Sequence, residues 1–281
     1  MSHKLVRFAL KEVYNTPLLV TEDSFRSIDN YLSRRNAEDF LFEQKEDDEE
    51  HRKKKPEMYG KVGVLEISGS LTYRPVISMC GAVGTSYQGL LSDANELVSA
   101  GAETLLMVVD SGGGSAYSCF STARSLRKLA DDNGVSLIAM VDGSACSAAY
   151  ALAVVADEVV AHPDASVGSI GCLVSLCNDS KALANEGIER KFVSFPKDKV
   201  PLNDAGEFTE KFMARIEKSV KTLGEQFFKH VSEFSGISEE AILALDGQVF
   251  SAQEALDIGL INKIMTQDEF SNYLSNKIKE N

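Results

Sequence analysis

The sequence predicts an α/β domain built on a mostly parallel sheet, with flanking helices and a long C-terminal helix. Two observations carry this. Apolar runs of strand length, at 62–68, 104–109 and 137–141, alternate with segments whose apolar residues recur at helical spacing. The runs TLLMVV and LIAMV are apolar almost throughout, as strands buried on both faces require. Of the 281 residues, 44% are hydrophobic, so one large domain or two small ones can close over a sizeable core. No internal repeat is evident.

Residues 1–42 read as a small N-terminal segment, with Phe25, Ile28 and Leu32 at helical spacing over 24–33. Residues 43–57 (EQKEDDEEHRKKKPE) are an acidic block followed by a basic one. Such a run has no apolar surface to bury and reads as a flexible linker. The main domain is expected over 58–266. It starts with a strand at 62–68, then a loop at 69–84 containing Pro75, Met79 and Cys80, long enough for a substrate-side flap. A helix at 87–100 puts Leu90, Leu91, Ala94 and Leu97 on one face, and leads to the strand 104–109 and a helix at 116–130. The strand 137–141, a turn at Asp142-Gly143, a helix at 148–156 and a strand at 158–161 come next. A strand at 171–177, a helix at 181–185 and a last short element at 191–194 complete the alternation.

Residues 196–206 form a polar loop with two prolines. A long helix at 207–234 aligns Phe208, Phe212, Ile216, Val220, Leu223, Phe227 and Val231, a face for the core, another subunit, or both. Ser238 caps a short helix to 245, with Glu239 and Glu240 suited to its N-terminal dipole. Ala241 at the third helical position leaves no full capping box there. Residues 248–251 lead into 252–257 and Gly259-Leu260-Ile261, and 267–281 read as a polar tail, helical or frayed.

Composition narrows the function. The net charge of −13 argues against nucleic acid and anionic membrane as main partners. No apolar run approaches the length of a membrane span, and the N-terminus does not read as a secretory signal. The five cysteines, 80, 119, 146, 172 and 177, have no metal-ligand spacing, so no metal and no cofactor is expected. Cys172 and Cys177 read as buried thiols, and a reducing cytosol fits.

The chemistry-bearing stretch follows the strand 137–141. Ser144, Ala145, Cys146 and Ser147 lead into a small-residue helix. A serine at a strand-to-helix turn holds its hydroxyl outside the sheet, beside a helix N-terminal N–H that can meet a developing oxyanion. The same placement suits a plain helix cap, for Ser144 or Ser147. In Asp110-Ser111-Gly112-Gly113-Gly114, the glycines let the backbone approach a ligand closely, and a turn or helix entry accounts for them too. Neither a dinucleotide fingerprint nor a P-loop is present.

A serine nucleophile needs a base. His3 and His51 fall in the tail and the linker, His162 precedes Pro163 in a turn, and His230 lies on the long helix. A lysine serves if its amine is kept neutral. Its ordinary pKa is about 10.4, desolvation can lower it by several units, and a drop of roughly three units costs about 4 kcal/mol. Lys197 and Lys199 are the candidates, with a solvated loop lysine as the plain alternative.

Together, Asp110-Ser111-Gly112-Gly113-Gly114, Cys146-Ser147-Ala148-Ala149, Val167-Gly168-Ser169-Ile170-Gly171 and Lys197-Asp198-Lys199-Val200 resemble one family. It is the signal peptide peptidase A family of serine peptidases, in its bacteriophage capsid-assembly (head maturation) branch. Residues 249–255 and Gly259-Leu260-Ile261 resemble its closing segment, and Asn15-Thr16-Pro17-Leu18-Leu19 resembles the phage branch's opening, so the likeness covers nearly the whole chain.

The resemblance implies a Clp-protease/crotonase-like fold and a serine endopeptidase with a Ser–Lys dyad. Carried over, Ser147 is the nucleophile, Lys199 the general base, Ser169 the residue that holds the lysine amine, and the N–H groups of Gly113 and Ala148 the oxyanion hole. Two departures stand out. Pro196 occupies a position usually held by glycine three residues before the lysine, which keeps Lys197 in view, while Val200 favours Lys199. Ala148-Ala149 replaces common glycines and should narrow the site. The implied partners are capsid scaffold, portal or head proteins and further copies of the chain. The implied location is the host cytoplasm, within the assembling prohead.

Three rivals remain at this stage. A crotonase-type acyl-CoA enzyme would need acid/base carboxylates near the glycine loop. A Ser–His–Asp protease would need His162 or His230. A scaffold or oligomerisation module would keep the fold without the chemistry.

Overall fold

The computed structural model describes residues 16–21, 56–75, 77–78, 81–82 and 84–280. The helix expected at 24–33, His3, His51 and nearly all of the charged linker lie outside the described residues.

The apolar runs become the centre of a sheet. Two short strands, β1 (Leu18–Val20) and β2 (Met58–Tyr59), precede β3 (Val62–Ser68). The loop expected at 69–84 contains a small hairpin, β4 (Ile77–Ser78) with β5 (Gly81–Ala82). Helix α1 (Tyr87–Ser99) follows, its N-cap Ser86 accepting from Gly89 N–H, with Tyr87, Leu90, Ala94 and Leu97 buried. Then come β6 (Thr104–Ser111), β7 (Gly113–Ser115), α2 (Cys119–Asn133) and β8 (Ser136–Cys146). Strands β3, β6 and β8 pair in parallel, joined by crossover helices as parallel pairing demands.

Alternation along these strands builds two cores. Leu105, Met107, Leu137, Ala139 and Val141 face the helices, and Leu106, Ile138 and Met140 face the opposite side. On the helical side sits α3 (Ala148–Ala153), every residue of it buried. Small side chains let it lie close under the sheet.

Beyond it, β9 (Glu158–Ala161) pairs with the first half of β8, and β10 (Ser166–Gly168) pairs with its second half. Helix α4 (Ser180–Asn185), a 3₁₀ turn (Lys197–Lys199) and the long α5 (Glu210–Ser235) follow, α5 capped by Thr209. The chain finishes with α6 (Glu239–Ala244), β11 (Val249–Ser251), α7 (Ala252–Asp257), β12 (Lys263–Ile264) and α8 (Gln267–Glu280). Strand β11 closes the sheet antiparallel to β10.

Several expectations are corrected. The turn expected at Asp142-Gly143 is a bend inside β8, where the strand exchanges β9 for β10 as its neighbour. Asp110 causes it: its carboxylate accepts the Ser144 N–H at 2.9 Å, packs against Gly143, and sits in a register shift between β6 and β8. Residues 171–177 make no strand. Within them only isolated bridges form, at Leu173, which pairs with Leu18, and at Ser175.

Residues 191–194 are irregular and mostly exposed. Cys177 is exposed and Cys172 half-buried, so the pair are not buried thiols. The full capping box, missing at Ser238, occurs at Ser251 with Glu254. The C-terminal tail is helical, and Phe270 packs with Val62, Leu106 and Ile138. Glu158 anchors this helix through Tyr273 and Lys277.

Candidate active site

Ser147 follows β8 and precedes α3 at φ 56°, ψ −118°, a region serine adopts only under strain of about 1–3 kcal/mol. The surroundings hold it there. Its N–H donates to the Gly168 carbonyl at 2.8 Å, and its hydroxyl points to the Gly171 carbonyl at 3.5 Å. Ser147 has no exposed surface in this state. Its side chain makes no cap bond to the helix, so capping does not explain it. Ser144, the other serine weighed, lies within β8 and meets Asp110 through its own N–H.

The shelf under Ser147 is Gly168-Ser169-Ile170-Gly171. Gly168 has φ 131°, and a Cβ there would lie 2.6 Å from the Gln248 carbonyl oxygen. Ser169 also has positive φ, 52°, with its N–H held by Gln248 at 2.7 Å. Ser169 is buried.

Gly113 faces the serine from the other side. A Cβ on Gly113 would sit 3.0 Å from Ser147 Cβ and run into the Leu19 carbonyl oxygen, and φ there is 101°. Its N–H donates to Ser111 Oγ at 3.1 Å, and Ser111 in turn donates to the Gly69 carbonyl at 2.5 Å. Ala148 opens α3, where the first N–H groups have no partner within the helix.

Two buried tyrosines, unmarked in the sequence, fix this frame. Tyr87 donates to the Ser115 carbonyl at 2.6 Å and ties β7 to α1. Tyr150 donates to the Leu260 carbonyl at 2.8 Å and ties α3 to the closing segment. Burial pushes both phenols above their ordinary range, so they stay neutral donors. Burial also pushes the Cys146 thiol up to about 12, which leaves it unsuited to act as the nucleophile beside Ser147.

Lys199 ends the 3₁₀ turn, exposed, and among the described residues no hydrogen bond joins it to Ser147 or Ser169. The two histidines weighed as bases are engaged elsewhere. His162 Nδ1 accepts the Asp164 N–H at 3.2 Å, and His230 is buried with Nε2 2.8 Å from the Ala151 carbonyl. Among the described residues no cluster of side chains has the make-up of a metal site, and no helix is long and apolar enough to cross a membrane.

Comparison with known proteins places the chain among peptidases. Capsid assembly protease C of Escherichia phage lambda is 24% identical over 225 residues, 80% of this chain and 51% of the relative. Head-tail preconnector protein GP5 of Enterobacteria phage P21 is 22% identical over 226 residues, 78% of this chain and 44% of the relative. The probable protease SohB of Haemophilus influenzae is 26% identical over 208 residues, 73% of this chain and 58% of the relative. The chain thus spans about half the length of the curated relatives it matches. The sequence also matches Peptidase family S49 over residues 130–279. That match runs over more than half of the chain and takes in the serine turn, the Gly168–Gly171 shelf and the lysine turn, and it makes this chain a member of peptidase family S49.

Proposed function

We propose that this chain is a serine endopeptidase that processes head proteins during phage capsid maturation, with Ser147 as nucleophile and Lys199 as general base. The observation that carries the reading is the strained Ser147 turn between Gly113 and the Gly168–Gly171 shelf. A fold holds a non-glycine residue at such a φ where the position of its side chain matters more than the strain.

In this mechanism Lys199 takes the Ser147 proton as Oγ attacks the substrate carbonyl. The tetrahedral oxyanion is met by backbone N–H groups at Gly113 and Ala148. The lysine then delivers the proton to the leaving amine, and a water repeats the sequence to release the acyl group. Ser169 orients the amine. For Gly113 to serve, its N–H must exchange Ser111 Oγ for the substrate oxygen.

A neutral lysine needs a dry site, and Lys199 is exposed in a single chain. Shortly before it in the chain come four exposed apolar residues, Ile188, Phe192, Val193 and Phe195, Val193 and Phe195 almost wholly in water. This supports a homo-oligomer whose packing covers them and seats Lys199, whether at its own serine or at a neighbour's. The lambda and P21 relatives, named for capsid assembly and the head-tail preconnector, support prohead proteins as substrates and the prohead as the location.

The acyl-CoA alternative loses ground because Asp110, the carboxylate of the glycine loop, is engaged with Ser144. The test is incubation of wild type, Ser147→Ala and Lys199→Ala with scaffold, portal and capsid proteins, followed by mass spectrometry of fragments. Cleavage by wild type alone is expected. Equal cleavage by Ser147→Ala overturns the reading.

A further inference from the structure

Strand β7 has two edges. Leu71 takes one, donating to the Gly113 carbonyl at 3.0 Å and accepting the Ser115 N–H at 2.8 Å. The other edge faces residues 171–177, and β1 fills the space between. It pairs antiparallel with β7, Leu18 against Ser115, Leu19 against Gly114 and Val20 against Gly113. Thr21 donates to the Gly112 carbonyl at 3.0 Å. On its far side Leu18 exchanges two backbone hydrogen bonds with Leu173, at 2.9 and 3.0 Å. Leu18, Leu19 and Val20 are all buried.

The segment is therefore an extended peptide zipped between two backbones, with its C-terminal end at the serine. The Leu19 carbonyl oxygen and Ser147 Cβ crowd the same point beside Gly113. A protein substrate must present an extended backbone to a sheet edge here, because main-chain pairing is what fixes a peptide bond beside a nucleophile without demanding one sequence. With Leu71 on one edge of β7 and β1 on the other, the described residues leave no edge for it. Ser147 has no exposed surface in the same arrangement.

We infer that Leu18–Val20 is an intramolecular pseudosubstrate: it holds the substrate-strand slot closed, and substrates that replace it are extended peptides with branched aliphatic residues at the positions of Leu18, Leu19 and Val20. This rests on the reading of Ser147 as nucleophile. The slot recognises backbone on both sides and aliphatic side chains within, so a competing strand of the same character displaces β1 as a unit. The fraction of chains with β1 released sets the apparent affinity for substrate.

The test uses the full chain and a peptide phosphonate carrying Thr-Pro-Leu-Leu-Val, which reacts with an activated serine. Adduct formation is followed by intact mass on wild type, Leu19→Gly and Ser147→Ala. The inference expects adduct on Leu19→Gly to form about tenfold or more faster than on wild type, and none on Ser147→Ala. Equal rates on wild type and Leu19→Gly overturn the inference and leave the peptidase reading standing. No adduct at Ser147 on either chain overturns both.

Should thermal melting show Leu19→Gly unfolded, hydrogen exchange on wild type decides. Amides 18–20 are expected to lose protection in the adduct while 113–115 stay slow. Protection at 18–20 unchanged by the adduct overturns the inference.

Discussion

The Ser147 N–H donates to the Gly168 carbonyl at 2.8 Å, so the serine turn and the glycine shelf form one unit. Gly168 has no room for a side chain, since a Cβ would meet the Gln248 carbonyl oxygen at 2.6 Å and Phe250 at 3.1 Å. Its φ of 131° strains any other residue as well. Gly168→Ala is expected to destabilise the fold by about 1–3 kcal/mol. It should also slow any reaction at Ser147, because the shelf must shift. Urea denaturation and serine labelling measure the two effects separately.

The φ of 56° at Ser147 separates two substitutions that remove the same hydroxyl. Ser147→Ala keeps the strain and Ser147→Gly releases it. Both variants are expected to be inactive, with Ser147→Gly more stable than Ser147→Ala by about 1–3 kcal/mol. Paired thermal melts check the difference. Equal stabilities would mean that the turn is not strained.

Tyr87 carries the glycine strand through its hydrogen bond to the Ser115 carbonyl. Tyr87→Phe leaves that buried carbonyl without its donor, at a cost of about 1–3 kcal/mol. A loosened β7 should weaken substrate binding more than it lowers turnover, so KM rises with kcat nearly kept. Steady-state peptide kinetics read the split.

His230 gives the fold an acid-sensitive point. Desolvation holds its pKa below the ordinary 6.5, helped by the nearby Arg124 guanidinium and opposed by the Ala151 carbonyl and Glu233. Its Nδ1 is buried with no hydrogen-bond partner among the described residues. The unfolded chain therefore takes up a proton at higher pH than the folded one. The stability contributed by the neutral ring is complete above pH 6.5 and is lost as pH falls through the lowered folded pKa. Denaturation midpoints measured from pH 8 to 5 should fall at the acid end, and His230→Phe should flatten this part of the curve.

The sheet was legible because its strands carry their burial in plain apolar runs. The observed β3 has the bounds the sequence implied, and β6 and β8 contain the expected cores. What escaped were features set by contacts distant in sequence. Asp142-Gly143 reads as a turn locally, yet Asp110, a neighbour only through the sheet, keeps it in the strand. Residues 171–177 look like a strand by composition but form only isolated bridges, among them Leu173 to Leu18. Tyr87 and Tyr150 carry no motif, and their roles exist only where their hydroxyls meet carbonyls. The serine turn was legible from its small residues and its position after an apolar strand. The choice of Lys199 rests on family resemblance alone, because it is exposed like the other surface lysines of the single chain.

The most direct measurement of the proposed dyad is serine labelling of the full chain by a fluorophosphonate, with the adduct mapped by mass spectrometry. The account predicts a single adduct on Ser147 that is retained in Lys197→Ala and lost in Lys199→Ala. An adduct at another residue, or labelling of Ser147 undiminished in Lys199→Ala, would contradict it.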